Sequence, residues 1–569
     1  MKYAFNEIIN RMSINLNKYK DKLLFIPLGG TNEIGINVNL YHYQGKWIMI
    51  DCGSGFADVD LPGVDMVVAD LTFIEAHKHN LLGLILTHAH EDHLGAIQYL
   101  WNGLECPIYA TKFTKCFLQA KLLDYSFSKK IEIVEVEPFK PFELGPFSIE
   151  MLGLTHSAPE MQALAIRTPE GTVVHTGDWK FDPNPLIGPV SSVDALKKLG
   201  DEGVLALACD STNVFNPGTS GSEGDVRESL VEIISKCPKI VVVATFASNL
   251  ARLDSLIHAG RRAGRKICFV GRSIHRMVAA ARESGYLQDT DSIIDEKSVG
   301  KYKREDLLII ATGCQGEEMA ATNKIANNTH NTISIAPRDT VIFSSKIIPG
   351  NEKKIFQLFN NFVKKKVEVI TERDHFVHVS GHPAIEELKR MYELVRPQIC
   401  IPVHGEPLHI HEQAKLAKAY GIPQAIEVEN GSVVLLSKEE SKIIGKVHSG
   451  YLAVDGNYLL PDDSNIFKLR RRMRSDGIVV ATIIIDKKYQ LVCEPVIDTP
   501  GLFDFNSDAE LISEFRAELA KEYDDMRSKV KGDISQDKVE SFVKKVLKRL
   551  VKEEVNKSPM ILVNVKQVN

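Results

Sequence analysis

Apolar and polar positions follow three successive styles along this chain. Between residues 23 and 220, strand-length apolar runs (KLLFIPLGG, KWIMIDCGS, LLGLILTHAH, FSIEMLGLTH, GTVVHTGD, GVLALACDS) end on glycine or polar residues, with few helical stretches between them. Such runs predict stacked sheets whose strand ends carry polar loops. From 221 to 384 strands alternate with helix-period stretches (GDVRESLVEIISK, KIVVVATF, LARLDSLIHAGRRAG, KICFV, DLLIIATG). That alternation predicts a parallel α/β unit, and Ser222, with Asp225 three positions on, predicts the helix cap that opens it. The β-rich style returns over 385–460 (EVENGSVVLLS, GKVHSGYLAV). Residues 461–569 then offer a strand pair (GIVVATIIID, QLVCEPVID), a charged helical stretch from 508 to about 554, and a last strand, PMILVNV. This final region has the makings of a linker and a small α+β domain. No internal repeat or low-complexity tract is found.

Length changes this picture only by supporting it: 569 residues exceed what one core organises. With 44% hydrophobic and 25% charged residues the composition is that of a soluble globular chain. The longest apolar runs are far short of a membrane span, so no transmembrane helix and no membrane partner are expected. The first 22 residues form an extension without the apolar core or cleavage site of a secretory signal, and Met12 is an alternative start. Nine cysteines stand singly with no C-x-x-C pair, which argues against a disulfide framework and a thiolate zinc site and for a reducing, cytoplasmic compartment. The net charge of −5 supplies no global field for nucleic acid, so any RNA binding must come from a local cleft.

The segment LILTHAHEDHLGA carries the strongest chemistry. His88, His90, Asp92 and His93 cluster just after an apolar strand. Two histidines at i and i+2 on an extended segment point to one side, while Asp92 and His93 in the following turn can face a second ion. Two zinc ions need further ligands, because each takes about four donors with one position left for water. Three strand-end residues fit: His156 in LGLTHSAPE, Asp178 in VVHTGDWKFD and His404 in ICIPVHGEP. Each alone reads as a cap or a core hydrogen-bond partner; together with the loop they complete a site.

Asp51 in MIDCG, the THAHEDH loop, His156 and Asp178 in HTGD resemble the metallo-β-lactamase superfamily. The resemblance implies an αββα sandwich over 23–220 and 385–460, with one zinc held by His88, His90, His156 and Asp178. The other would be held by Asp92, His93, Asp178 and His404, with Asp178 bridging and Asp51 orienting ligands through hydrogen bonds. An aspartate where secreted β-lactamases often carry cysteine favours the hydrolase and nuclease branches.

DSTN with Asp210, SGH with His382 and VHGE with His404 further resemble the β-CASP group, whose inserted parallel α/β domain, here 221–384, forms a lid over the metal cleft. EIGINVN, FASN, TGCQGE, PGNE and HVSGHP are similar to the ribonuclease J family, and the small C-terminal α+β domain over 461–569 also fits. Pro383, where a small residue often follows SGH, is a departure that could stiffen the substrate loop. The resemblance implies a two-zinc ribonuclease acting in RNA maturation and decay, degrading single-stranded RNA from a 5′-monophosphate end and also cutting internally, as a homodimer or homotetramer. Asp178 and Asp92 would act at the metals, and His382, oriented by Asp210, would stabilise the transition state or assist the leaving oxygen. Ala247, Ser248 and Asn249, with His378, Val379, Ser380, Gly381 and His382, match the family's substrate-binding stretches. Their small residues admit phosphate to backbone N–H groups; Phe246 beside them reads as core rather than a base-stacking platform.

Two features have plainer readings. Arg470, Arg471, Arg472 and Arg474 in KLRRRMRSDG read as a solvated or interface lead-in to a strand rather than an RNA handle, and LGGTNEIGIN as a tight strand-to-strand turn rather than a phosphate loop. The competing functions are a DNA nuclease of the same group, a small-substrate thioesterase or lactonase on the same metals, and an inactive RNA-processing scaffold. The α/β lid argues against a small substrate, and the complete ligand set against a scaffold. Digestion of matched RNA and DNA with and without chelator separates them.

Overall fold

A computed structural model describes residues 14–289, 293–530 and 534–568; the part of the N-terminal extension that includes Met12 lies outside them. The chain divides into two compact units, residues up to 55 together with 67–451, and residues 56–66 together with those from 452 onward.

In the first unit an eight-stranded and a seven-stranded sheet face each other. Phe25, Tyr41, Ile48 and Ile85 of the first sheet share one core with Ile149, Met151, Ile166, Val173 and Ile401 of the second. The second sheet's other face, through Leu152, Ala163, Val174 and Leu207, packs on Leu196, Leu388, Met391 and Ala417 of the helices Val193–Glu202, Ile385–Val395 and Pro407–Ala419. This is the sandwich that the short apolar runs predict.

The insertion is a five-stranded, all-parallel sheet in the order Lys266–Val270, Leu307–Ala311, Val241–Ala244, Thr340–Phe343, Glu368–Ile370. Helix Glu223–Lys236 precedes its first strand in the chain, and helices such as Leu250–Arg262 and Glu352–Lys364 follow Val241–Ala244 and Thr340–Phe343. Its central strands are buried along their whole length, as parallel strands covered on both faces must be. Ser222 caps Glu223–Lys236 by accepting the Gly224 N–H at 3.1 Å, one residue earlier than a bond to Asp225 would be.

The point of insertion organises the site. The chain leaves the second sheet after Ala206–Asp210 and rejoins it along Ile399–Val403, which pairs with that strand in parallel, Asp210 opposite Val403. Gly171–His175 is the parallel neighbour on the other side. Three loops, after His175, Asp210 and Val403, therefore emerge side by side at one sheet end.

In the second unit Ile478–Ile485 pairs antiparallel with Val496–Asp498 and parallel with Met560–Gln567. Val479, Ala481, Ile483 and Ile485, alternate residues of the central strand, pack on Phe515, Leu519, Val543 and Leu547 of helices Ala509–Lys529 and Gln536–Val555. A parallel return needs such a crossover.

Three local expectations are corrected. The arginine-rich run is a helix, Asn465–Asp476, because Ser464 caps it and its residues form helices readily. Its arginines are engaged within their own unit: Arg470 with both Asp455 oxygens at 3.0 and 2.7 Å, Arg471 with the Asp60 carbonyl, Arg472 with Ser558 and Pro559 and Arg474 with Val59. Of QLVCEPVID only Val496–Asp498 is a strand. LGGTNEIGIN is a broad connection, since residues 30–37 separate Leu23–Gly29 from Val38–Tyr43 and bridge through Thr31 and Glu33 to Gly405.

Candidate metal centre

His88 follows the strand Leu81–Ile85, and the extended backbone at His90 leads into a single helical turn, Glu91–Leu94. His156 follows Phe147–Gly153, while Asp178 and His404 sit on two of the adjacent loops described above. The metal-capable groups gather into three sets, each with ligand atoms within 4.8 Å of one another: His88, His90 and His156; Asp92, His93, Asp178 and His404; and Asp178, Asp210, His382 and His404. The first two sets hold all seven ligands expected from the sequence. Asp178 falls in the second and third sets rather than the first.

Asp51, fully buried, accepts the Thr87 N–H and hydroxyl at 2.8 Å each, and His93 Nδ1 lies 2.7 Å from its Oδ2. With Nδ1 so engaged, His93 turns Nε2 to Asp178 Oδ2 at 3.0 Å. His156 Nδ1 donates to the Gly381 carbonyl at 2.6 Å, and its Nε2 lies 3.1 Å from His90 Nδ1. Gly381 must approach this closely, because a Cβ there would stand 2.6 Å from the His156 ring. His382 Nδ1 is 2.8 Å from Asp210 Oδ2.

Burial and then the neighbouring histidines hold His88 well below its ordinary pKa, and burial brings His90 down to about 4. His156 is likewise held well below by burial and its histidine neighbours. This trio is neutral and its lone pairs are available. The second set is balanced differently. Burial opposes charge on His93 and His404, yet Asp178, with Asp92 and the other carboxylates around them, outweighs it, lifting His93 well above its ordinary value and His404 to about 10. Burial pushes the carboxyls of Asp92 and Asp178 up, but the facing histidines prevail and hold both well below the usual range. Protons on those imidazoles thus occupy the positive role a cation would take.

The residues fit a divalent metal. His88 Nε2, Asp178 Oδ1 and His404 Nε2 are buried and make no hydrogen bond, whereas buried polar atoms normally have partners. Imidazole and carboxylate donors aimed inward are what such an ion requires.

Of the substrate stretches, 378–382 joins this centre through Gly381, His382 and Ser380, whose hydroxyl accepts from Asn213 Nδ2 at 2.6 Å and from the His382 N–H at 3.2 Å. Residues 247–249 do not reach the metal ligands by any described hydrogen bond. Ala247 and Ser248 are half-buried; Asn249 caps Leu250–Arg262, accepting the Arg252 N–H at 2.8 Å and donating to Glu223. Arg252 in turn donates to the Val377 carbonyl, beside His378 and Val379. Phe246 packs against the insertion's core, as read.

Sequence reasoning passed over four residues. Asn37 lies 3.0 Å from His93 Nε2 and donates to the Asp92 carbonyl, and Thr87 anchors Asp51. Thr212 donates to Asp210 at 2.7 Å and lies 3.0 Å from His404 Nδ1, while Asn213 donates to the His382 carbonyl at 3.0 Å. Three of them stand inside the motifs THAHEDH and DSTN, and Asn37 inside EIGINVN, so the signal was adjacency to ligands, which specifies no role.

This sandwich, with its histidine and aspartate sets at one sheet end and an α/β insertion above them, defines a metal-dependent hydrolase of the metallo-β-lactamase superfamily. The superfamily model itself matches residues 31–244. Models of the ribonuclease J β-CASP domain, the Zn-dependent metallo-hydrolase RNA specificity domain and the ribonuclease J C-terminal domain match 238–362, 366–428 and 466–568. Ribonuclease J of Sinorhizobium meliloti is 40% identical over 501 residues, 87% of this chain and 88% of that one. Ribonuclease J of Thermus thermophilus is 33% identical over 95% of each chain, and ribonuclease J 1 of Streptococcus pyogenes 32% identical over 96% and 98%. The chain belongs to the ribonuclease J family. A crystal structure of a protein of unknown function from Enterococcus faecalis V583, 18% identical, covers 73% of this chain and 100% of its own at a TM-score of 0.53, a likeness of fold. Among the described residues no helix is long and apolar enough to cross a membrane.

Proposed function

We propose that this metal-dependent ribonuclease works with two zinc ions, removing nucleotides from a 5′-monophosphate RNA end and also cutting internally. The observation that carries the reading is the pair of neighbouring ligand sets with three buried ligand atoms that make no hydrogen bond, His88 Nε2, Asp178 Oδ1 and His404 Nε2, the last two held only in ion pairs, Asp178 Oδ1 3.3 Å from His404 Nδ1 and His404 Nε2 3.3 Å from Asp92 Oδ2. His88, His90 and His156 would hold one ion, and Asp92, His93 and His404 the other, with Asp178 between them. Bound there, two cations supply an activated water and offset charge on the phosphate oxygens during in-line attack. Asp51 keeps His93 turned to its ligand position, and Asp210 holds His382 so that its Nε2 can donate to the leaving oxygen.

Ser380 Oγ already accepts two N–H groups, so its own proton is free for a phosphate. His378 is held well below its ordinary pKa by burial first and then by nearby Arg252, Lys346 and Lys180; Arg252 and Lys180 are themselves paired with Glu223 and Asp182. Domain boundaries near 220, 384 and 460 rest on the pattern of strands and helices together with the family resemblance, a cytoplasmic setting on the single cysteines, and two or four copies per assembly and roles in RNA maturation and decay on the resemblance alone.

The test is decay of one labelled RNA bearing a 5′-monophosphate, 5′-hydroxyl or 5′-triphosphate, with elemental analysis of the protein. Two zinc per chain and fastest decay of the monophosphate form are expected. Replacing Ser380 and Ser248 by alanine should slow 5′-end decay much more than internal cleavage. Equal rates on all three ends would sink the pocket assignment, and no more than one metal after zinc repletion would sink the dinuclear one.

A further inference from the structure

We infer that Lys121 is a positioning residue for the metal centre: through Glu91 it holds the turn that carries Asp92 and His93 in the geometry that retains a cation. The inference rests on the metal reading above.

Glu91–Leu94 is one helical turn, far too short to hold itself, so its placement comes from other segments. The Asp92 carbonyl accepts from the Asn37 N–H at 2.9 Å, the His93 carbonyl from the Cys52 N–H at 2.7 Å, and the Glu91 carbonyl from Ser54 Oγ at 3.2 Å. To these neutral backbone ties Lys121 adds a charged one. Its Nζ stands 2.8 and 2.6 Å from the two carboxylate oxygens of Glu91. Glu91 belongs to none of the three ligand sets, so its carboxylate serves the turn and not the ion. It folds back over the turn at Gly95, where a Cβ would lie 2.3 Å from the Glu91 carbonyl oxygen and 2.7 Å from Oε2.

Exposure shows which partner is committed. The Lys121 side chain is 6% exposed, on the helix Lys112–Leu122, whereas that of Glu91 is 51% exposed. A buried ammonium is costly unless paired, while a half-exposed carboxylate can be solvated. Losing Lys121 should therefore free the turn without stranding a charge, and losing Glu91 alone should strand one. The groups that orient metal ligands from outside commonly govern affinity by about 10–100-fold.

The test uses the full chain and four variants: Lys121→Met, which keeps the apolar stem, Lys121→Arg, Glu91→Gln and the double variant Lys121→Met/Glu91→Gln. Zinc retention is read by competition with a chromophoric chelator, folding by melting of the metal-free forms, and RNA cleavage across a zinc titration. Lys121→Met should release zinc about tenfold more readily, with cleavage restored at saturating zinc and the half-activating concentration shifted by the same factor. Lys121→Arg should behave as the wild type. The double variant should match Lys121→Met rather than add to it, since both changes break one contact. If Lys121→Met does not fold, the double variant carries the same comparison with no charge stranded. A folded Lys121→Met or double variant that retains zinc like the wild type overturns the inference. A wild type that retains no zinc overturns the metal reading itself.

Discussion

Asp51 and His404 are held at φ of +60° and +54°, a region that costs a residue with a Cβ about 1–2 kcal/mol. Both stand at the metal centre, where such strain is retained when the surroundings impose it. His404 is fixed by its N–H to the Gly30 carbonyl at 2.6 Å. In metal-free protein His404→Gly should therefore be about 1 kcal/mol more stable than His404→Ala, although both lose the ligand. Chemical denaturation of the pair checks this, and equal midpoints would show the backbone to be relaxed. Away from the centre, His448 Nε2 lies 2.8 Å from Asp70 Oδ2. That hydrogen bond raises the pKa of His448; burial pushes Asp70 up, but His448 and Thr72 bring it below its ordinary value. The raised histidine contributes stability that is complete below about pH 6.5 and lost as pH rises through its folded value. The lowered aspartate contributes stability present above about pH 4 and lost as pH falls through its folded value. The stability gap between wild type and His448→Gln should thus be widest from about pH 4 to 6.5 and shrink on either side. Urea midpoints at pH 5, 7 and 9 measure it; a gap that does not narrow at pH 9 contradicts the pairing.

Two helix starts of the insertion meet over one buried ion pair. Arg252, fully buried, donates to both Glu223 oxygens at 3.0 Å, to the Ser344 carbonyl at 3.0 Å and to the Val377 carbonyl at 2.8 Å. Helices Glu223–Lys236 and Leu250–Arg262, the end of strand Thr340–Phe343 and the lead into residues 378–382 are thereby pinned together. Removing one partner of a buried pair leaves the other charge uncompensated, at about 3–5 kcal/mol. Arg252→Met should lose stability of that order in urea, and 5′-monophosphate RNA decay should fall as the 378–382 stretch loosens. A loss under about 1 kcal/mol, the ordinary worth of an exposed pair, would show that water reaches Glu223.

At the scale of the molecule, the sandwich, the insertion and the second unit each bury a core of their own. Catalysis and folding should therefore come apart on metal removal. Chelation is expected to abolish RNA cleavage while far-UV circular dichroism keeps its shape, and zinc should restore activity. Bound ligand stabilises the state that binds it, by about 2.7 kcal/mol at a hundredfold excess over Kd, so the first unit's thermal transition should rise with zinc and the second unit's should not. Collapse of secondary structure on chelation would make the ion a folding element instead.

Sequence alone determined what local chemistry and periodicity can encode. Apolar runs of strand length separated the sandwich from the α/β insertion, because burial on one or both faces writes itself directly into the order of residues. The candidate ligand loop was legible because His88, His90, Asp92 and His93 stand together on one short segment. The arginine run was read only as a lead-in to the strand that follows it; its helix, capped by Ser464 and seated through Phe467, emerges from the structure. Tertiary structure alone decided the contacts that join distant segments. Asn37 reaches Asp92 and His93, and Lys121 reaches Glu91, only because the sheet and its flanking helix lay those segments side by side. The parallel pairing of Ala206–Asp210 with Ile399–Val403 likewise brings Asp210 beside His404 across nearly two hundred positions of chain. A side chain's partner through space leaves no mark on its neighbours in sequence, so the candidate ligands could be picked out from the sequence and the contacts that support them could not.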